Sequence, residues 1–282
     1  MTDIRQSPQY ASYLKSQGWI VERIKNTNYF IKKLPIIGSI LKLQRPEKVD
    51  LNQIEKLARR YRAFQIIIEP KLMANGQWLI TNDYKLSNSP YLPTKTLQID
   101  LTQSKEQIYA NLTKNCKYSI KRGSEIFTKE YSSPKEIEIF QNAWKKSVNF
   151  SRYVPSVESL LNLKKSFPQT KSIFLTSHNI IGSIIGGVIF TRSSHYIAYY
   201  WQAFTNSEGR TSLSQYSLLY QGILWGKSQG CKIFDFEGIY DDRFPNKSWL
   251  GFTHFKRSFG GYEVEYPGCY TKLSLLSNLG RT

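Results

Sequence analysis

Three stretches of the sequence carry residue types that could do chemistry. In LGFTHFKRSFGG, Leu250 to Gly261, the residues Phe252, Phe255 and Phe259 recur at helical spacing, Lys256 and Arg257 sit beside them, and two glycines close the run. One account is a short helix whose cations complement the negative end of its dipole before a glycine stop. The other is a lysine held in an apolar wall to act on a reacting group. Glu69 ends the β-branched run FQIIIEP immediately before Pro70, which places its carboxylate at the edge of a sheet. Asp235 and Glu237 alternate with Phe234 and Phe236 in IFDFEGIY, so both acids share one face of a strand, and that face is either solvent or a cleft. For each acid the plain alternative is an ordinary salt bridge at a strand end.

Other chemistries lack their signatures. There is no G-x-x-x-x-G-K-[ST] phosphate loop and no G-x-S-x-G nucleophile elbow. His178, His195 and His254 show no ligand spacing, and His178 and His195 fall in expected solvated turns, so no metal centre is anticipated. Cys116, Cys231 and Cys269 are isolated and odd in number, which fits reduced thiols in a cytoplasmic protein rather than a disulfide framework.

Helices and strands must position these groups. Ser7 and Pro8 read as the N-cap and first residue of a helix carrying Tyr10, Tyr13 and Leu14 and ending at Gly18, with the strand WIVERI after it. A second helix starts near Asp50, with Leu51, Ile54, Ala58 and Tyr61 inward, and runs into FQIIIEP; helix feeding strand implies a layered α/β fold. The segment TKTLQIDLTQSKEQIYANLTKNCKYSIKRG reads as a short strand and one helix stopping at Gly123. Ile108, Leu112, Cys116 and Ile120 lie on one side of that helix and Lys114, Lys117 and Lys121 on another. Three lysines on one face, with Arg122 beside them, suit either plain solvation or a phosphate backbone. Further helices follow Ser133 and Pro134, with Ile137, Phe140 and Trp144 inward, and Ser156. From Ser172 the pattern becomes a three-stranded meander, in which NIIGSIIGGVIF reads as a buried strand too short to span a bilayer. A helix from Leu213 to Lys227 stops before Gly230, and the strand KIFDFEG follows. No internal repeat or Gly/Ser linker stands out.

At 282 residues the chain has room for one large or two modest domains, and its 40% hydrophobic residues exclude a disordered chain. Lys and Arg number 39 against 21 Asp and Glu, and the resulting charge of +18 attracts nucleic acid, an anionic membrane face or a phosphorylated substrate. The opening MTDIRQSPQY has no apolar signal core, so any membrane contact is expected to be peripheral.

Seven segments occur in the order found in the Fem family of peptidoglycan interpeptide-bridge transferases: RQSPQYASYLKSQGW, QRP (Gln44 to Pro46), IEP (Ile68 to Pro70), IDLTQSKEQIYANLTKNCKYSIKRG, YYWQAF, GCKIFDFEGI and GFTHFKRSFGG. The chain resembles that family over nearly its whole length. The resemblance implies a mixed α/β fold of two GNAT-like domains, each a mixed central sheet flanked by helices, with residues 1–97 completed by 264–282 as the first and 98–263 as the second. Nothing between Ser133 and Thr170 is long enough for the coiled-coil arm of some members. The resemblance further implies a monomeric, aminoacyl-tRNA-dependent acyltransferase, cytoplasmic or at the inner membrane face. Aminoacyl-tRNA is its co-substrate, no cofactor is needed, and the acceptor is the side-chain amine of a lipid-linked or nucleotide-linked peptidoglycan precursor.

By position, Lys256 matches the family lysine that steadies the charged intermediate of acyl transfer, with Phe255 near the donor's terminal adenosine. Glu69 matches the carboxylate near the acceptor amine. Arg23 falls where the family uses a basic residue for the precursor's diphosphate, Arg152 or Tyr153 near its second diphosphate arginine, and Tyr200 or Trp201 at its central-strand tyrosine. Asp235 and Glu237 are expected to contact substrate, and Lys114, Lys117, Lys121, Arg122 and Arg257 to contact tRNA. Two alternatives keep the same features. One is an acyl-coenzyme A N-acyltransferase, for which the loop FTNSEGRTSLS offers only Gly209 to a pyrophosphate. The other is a basic module that binds precursor or RNA without transfer.

Overall fold

The computed structural model describes residues 2–123, 126–148, 152–168, 170–193 and 196–273; His195 and residues 274–282 lie outside them. The chain divides into two compact units. Unit 1 comprises Met1–Lys95, Tyr240–Asn246 and Glu265–Thr282, and unit 2 comprises Thr96–Ile239 and Lys247–Val264. Residues 240–246 thus group with unit 1, although they lie inside the stretch expected for the second domain.

Unit 1 opens with α1 (Pro8–Ser16), β1 (Ile20–Ile24), β2 (Thr27–Leu34), β3 (Gly38–Gln44), α2 (Leu51–Arg60), β4 (Ala63–Glu69), α3 (Ala74–Ile80) and β5 (Lys85–Ser87). Its helix starts follow the capping chemistry in the sequence. The Ser7 hydroxyl accepts the Tyr10 N–H at 3.1 Å ahead of Pro8, and the Asp50 carboxylate accepts the Gln53 N–H at 3.0 Å. Ile54, Leu57 and Ala58 of α2 are buried against Leu41, Ile66 and Ile68 of the sheet.

Unit 2 runs β6 (Lys95–Asp100), α4 (Lys105–Ala110), α5 (Lys114–Gly123), β7 (Phe127–Glu130), α6 (Pro134–Ser147), α7 (Val157–Ser166), β8 (Ser172–His178), β9 (Ile184–Arg192) and β10 (Ile197–Thr205). It continues with α8 (Ser207–Thr211), α9 (Ser214–Ser228), β11 (Ile233–Asp235), α10 (Leu250–Arg257) and β12 (Tyr262–Glu265), after which the chain returns to unit 1 as β13 (Cys269–Leu273). Ile137, Phe140 and Trp144 of α6 are buried as their spacing predicts, behind a capping box at Ser133.

Two sequence expectations fail locally. The single helix read through residue 123 is two, because the Thr113 N–H donates to Ser258 O at 3.0 Å and the Thr113 hydroxyl accepts from the Cys116 N–H at 3.2 Å, starting α5 afresh. The run NIIGSIIGGVIF is not one buried strand. Asn179 closes a turn on Ser183 at 2.8 Å, Ile180 and Ile181 stand in solvent, and β9 begins only at Ile184.

The unit 1 sheet has the order β1-β2-β3-β4-β13-β5, with β3 and β4 parallel; the unit 2 sheet has the order β12-β6-β11-β10-β9-β8-β7, with β10 and β11 parallel. In each, an antiparallel meander of three strands leads through a helical crossover into a parallel neighbour. An antiparallel strand then flanks that neighbour: β13 beside β4, and β6 beside β11. The units repeat a topology that the sequence does not display, because strand order is a property of the backbone and needs no matching side chains. The larger core lies in unit 2, where Leu218, Leu219 and Ile223 of α9 pack on Val188, Phe190 and Phe234.

Candidate active site

In unit 2 the end of β10, the short helix α8, the start of α9 and the helix α10 enclose a cavity of about 610 Å³. Tyr200, Ala203, Phe204, Gly209, Arg210, Leu213, Gln215, Tyr216, Phe252 and Phe255 line it, with Ser147, Val148 and Arg152. Beside it β10 is irregular: Tyr200 pairs with Phe190 and Gln202 with Ile189, so Trp201 is an extra residue in a bulge. A bulge re-aims the side chains around it. Leu213 takes a left-handed φ of 60° at the start of α9, which has no side-chain cap. Tyr216 meets Phe255 edge-on with ring centres 4.7 Å apart, making one wall aromatic.

Lys256 does not line the cavity itself but lies behind two other lining rings, Phe252 and Tyr200. It is 7% exposed, and its Nζ donates to the carbonyls of Phe236 at 2.7 Å and Gly238 at 2.6 Å. The turn after β11 passes through left-handed φ at Glu237 (55°) and Gly238 (116°), which brings both carbonyls to the same nitrogen. The Nζ lies 4.9 Å from the ring centre of Phe252 and 5.5 Å from that of Tyr200, and both rings line the cavity. Burial lowers the Lys256 pKa to about 8, opposed by the carboxylates of Glu237 and then Asp235. The ammonium therefore remains mainly protonated at pH 7, held by the main chain in a low-dielectric setting.

The two acids read as one strand face are placed differently. β11 ends at Asp235, and Glu237 follows in a left-handed turn, so strand alternation does not govern both. Asp235 is buried and accepts from Thr96 and Gln98 at 2.7 Å each and from the Glu237 N–H at 2.8 Å. Burial, then the nearby Glu237, pushes its pKa up to about 6. Such a saturated carboxylate braces the turn that feeds Lys256.

Glu69 belongs to unit 1 and does not stand at a sheet edge. β4 lies between β3 and β13, and Glu69 is 1% exposed, its carboxylate accepting from Gln44 at 2.7 Å and from the Leu92 N–H at 2.6 Å. The QRP and IEP segments thus meet as a structural knot. Arg45 donates to Pro70 O at 3.1 Å and Pro93 O at 2.5 Å and stacks 3.5 Å over the ring of Tyr266. Arg23 of β1 is exposed and donates to Gln6 O at 2.8 Å and Asn28 Oδ1 at 2.7 Å.

Among the remaining expected contacts, the cavity gathers Arg152, Tyr200 and Phe255. The Tyr200 phenol accepts from Gln215 at 3.4 Å, and burial holds its pKa well above the usual range. Lys114, Lys121 and Arg122 are exposed on α5, while Lys117 folds back to donate to Ala110 O at 2.8 Å. Arg257 is answered by Glu263 in an ion pair at 2.7 Å, which weakens it as a phosphate ligand. His178, expected in a solvated turn, is buried at the end of β8 between Thr176 (2.9 Å) and Gly182 O (3.0 Å). Among the described residues no cluster of His, Cys, Asp and Glu could hold a metal ion.

Sequence reasoning missed Arg210, Gln215, Tyr216 and the cavity-facing role of Phe252. The signal for Arg210 was present: Asn206 caps α8 on the Gly209 N–H at 2.8 Å, so the stretch read as loop is helical. Gly209 itself answers to packing, since a Cβ there would fall 2.2 Å from Ile185 O. Gly209 nonetheless lines the cavity, but its N–H is already donated to Asn206 Oδ1 at 2.8 Å and is not offered to a pyrophosphate.

No protein-family model and no curated protein sequence matches the chain. Solved structures do. FemX superposes with a TM-score of 0.79 at 14% identity, over 96% of this chain and 92% of that one. A C-terminal domain from Agrobacterium fabrum assigned to a lysylphosphatidylglycerol synthetase gives 0.62 at 11% identity, over 96% and 88%. The tandem GNAT protein from the clavulanic acid biosynthesis pathway gives 0.51 at 9% identity, over 87% and 82%. Likeness at such identities speaks to architecture alone. The chain is a tandem GNAT-fold protein with the fold of FemX and, among its described residues, no coiled-coil arm.

Proposed function

We propose that this protein transfers an aminoacyl group from aminoacyl-tRNA to an amine, and that the amine is a side chain of a peptidoglycan precursor's stem peptide. The observation that carries the reading is the Lys256 ammonium, buried and clamped by two carbonyls behind the Phe252 and Tyr200 rings that line the unit 2 cavity. In ester aminolysis the acceptor nitrogen attacks the ester carbonyl carbon, a C–N bond forms, and the C–O bond to the tRNA 3′ oxygen breaks. The proton released from the amine passes to that leaving oxygen. Negative charge develops on the carbonyl oxygen as the carbon becomes tetrahedral, and a fixed cation in a dry site stabilises it without reorganising. Phe252, Phe255 and Tyr216 offer aromatic faces on which a terminal base stacks, and Arg152 and Arg210 offer charge to the phosphates that follow it. The FemX fold and the lysylphosphatidylglycerol synthetase neighbour support aminoacyl chemistry over other acyl donors.

A second reading, acyl transfer from acyl-coenzyme A, draws on the tandem GNAT neighbour, but the N–H of Gly209, the one glycine in the loop, is already donated to Asn206 at 2.8 Å. The deciding experiment incubates the purified protein with a mixed charged-tRNA pool and both lipid-linked and nucleotide-linked stem-peptide precursors, read by mass spectrometry. A ribonuclease-sensitive gain of one aminoacyl residue is the expected result. Thermal stabilisation by acetyl-coenzyme A with no tRNA-dependent gain would move the assignment to the second reading. Binding without any transfer would leave a non-catalytic module.

A further inference from the structure

The β2–β3 turn of unit 1 is built against ordinary preferences. Residues 35–37 connect the strands, with Ile36 fully exposed and Ile37 55% exposed at the tip. The Ile37 N–H donates to Pro35 O at 2.8 Å, closing a three-residue turn whose central residue, Ile36, has φ of 72°. A positive central φ makes such a turn rare and strained, and a β-branched residue is the worst occupant for it. Asn or Gly would hold the same backbone with less strain and better solvation. Fold stability therefore does not account for isoleucine here, and a second, half-exposed isoleucine beside it adds about half as much again to the apolar surface offered to water. Single exposed aliphatic residues are common and need no explanation; an adjacent pair at the apex of a hairpin, one of them on an unfavourable backbone, is a different observation.

The surroundings indicate what the tip meets. Immediately behind it lies a recess of about 560 Å³ lined by Lys33, Arg60 and Arg62 together with Leu34, Pro35, Gly38 and Tyr61. Glu22 answers part of this group, pairing with Arg60 at 3.2 Å and accepting from the Tyr61 hydroxyl. Arg60 at the end of α2 is accounted for in part by the helix dipole, but Arg62 lies past the helix, exposed, with a left-handed φ of 51°. An aliphatic apex with a cationic collar behind it matches a bilayer with anionic headgroups, in which acyl chains accept the isoleucines and phosphates meet the collar. RNA satisfies the collar but gives the isoleucines nowhere to go. A second exposed isoleucine pair, Ile180 and Ile181 of unit 2, lacks this context: Asn179 at its base is hydrogen-bonded to Glu208 at 3.0 Å.

We propose that the Ile36–Ile37 apex of unit 1 inserts into the surface of an anionic phospholipid bilayer, with Lys33, Arg60 and Arg62 gripping the headgroups. This stands independently of the transferase proposal. The test is sedimentation of the full chain with vesicles of phosphatidylcholine alone or with about 30% phosphatidylglycerol at about 0.1 M salt, where surface charge is not yet fully screened. The wild type binds the anionic vesicles, the Ile36→Asn/Ile37→Ser variant binds them at least tenfold more weakly, and Arg60→Ala/Arg62→Ala weakens binding about fivefold or more. The paired change at Ile180 and Ile181 to serine leaves binding within twofold. Since asparagine suits the Ile36 backbone, the tip variant should melt no lower than the wild type, so lost binding cannot come from unfolding. Ile37→Trp adds fluorescence, measured as the excess over the six native tryptophans of the wild type, that is quenched by lipids brominated along their acyl chains. No binding by the wild type, undiminished binding by the tip variant, or a tryptophan that brominated chains fail to quench each overturns the proposal. Undiminished vesicle binding together with lost RNA binding in the arginine variant would reassign the collar to nucleic acid.

Discussion

Replacing Lys256 with methionine separates its two roles, because methionine keeps most of the volume and removes the charge. Two hydrogen bonds from a charged donor, to Phe236 O and Gly238 O, contribute about 3–6 kcal/mol together. Against this stands the cost of burying the ammonium: a fall in pKa from 10.5 to about 8 corresponds to roughly 3 kcal/mol. The net stabilisation is thus about 0–3 kcal/mol, and the variant should remain folded at assay temperature. Loss of one preorganised electrostatic partner of a transition-state oxyanion costs about 3–4 kcal/mol, or roughly 100- to 1000-fold in kcat. The assay is single-turnover transfer from charged tRNA at saturating acceptor, run beside thermal melting of the same preparations. A fall of at least 100-fold in kcat with KM for the charged tRNA changed less than threefold supports the role. A folded Lys256→Met protein that keeps a tenth or more of the wild-type kcat refutes it and leaves Lys256 as a peg for the turn after β11.

Four further outcomes follow from the structure. The kcat ratio of wild type to Lys256→Met should fall as pH rises through about 8, where the ammonium discharges; a ratio constant from pH 7 to 9 would contradict this. The stability sign is opposite: the folded pKa lies below that of the unfolded chain, so the burial cost is full below about pH 8 and disappears toward pH 10.5, and melting should show wild type gaining on the variant across that window. Arg210→Ala should raise KM for charged tRNA about fivefold while Arg257→Ala changes it less than twofold, since Arg210 lines the cavity and Arg257 is paired with Glu263. Gly222→Ala should cost at least about 1–3 kcal/mol in denaturant unfolding, because its Cβ would fall 2.0 Å from the buried ring of Phe190.

Local chemistry was legible in the sequence wherever one residue acts on its near neighbours. Ser7 with Pro8, Asp50, Ser133 and Ser156 each start the helix they announce, and Gly18 and Gly230 close theirs at positive φ. Where a distant partner decides, the reading failed. Nothing near Thr113 signals that Ser258 O will capture its N–H and break a helix, and nothing in FQIIIEP shows that β13, from the far end of the chain, will flank β4 and enclose Glu69. In IFDFEG the alternation is correct as far as Asp235, after which the backbone turns left-handed at Glu237, a conformation that glutamate does not advertise. Lys256 was identifiable by type and neighbours, but its two carbonyl partners belong to a turn about twenty residues away.

The position of β13 has a consequence during synthesis. β4 carries Ile66, Ile67 and Ile68, and the strand that covers its open side begins at Cys269, 200 residues after β4 ends at Glu69. At ribosomal speeds of about 5–20 residues per second, the unpaired N–H and C=O groups on that edge of β4 wait roughly 10–40 s for their partner. All of unit 2 emerges in the interval, so the later half of the polypeptide reaches the means to mature before the earlier half does. A nascent chain in this condition is an obvious client for holding chaperones, and any stalled translation product ending before residue 269 would carry a permanently sticky border.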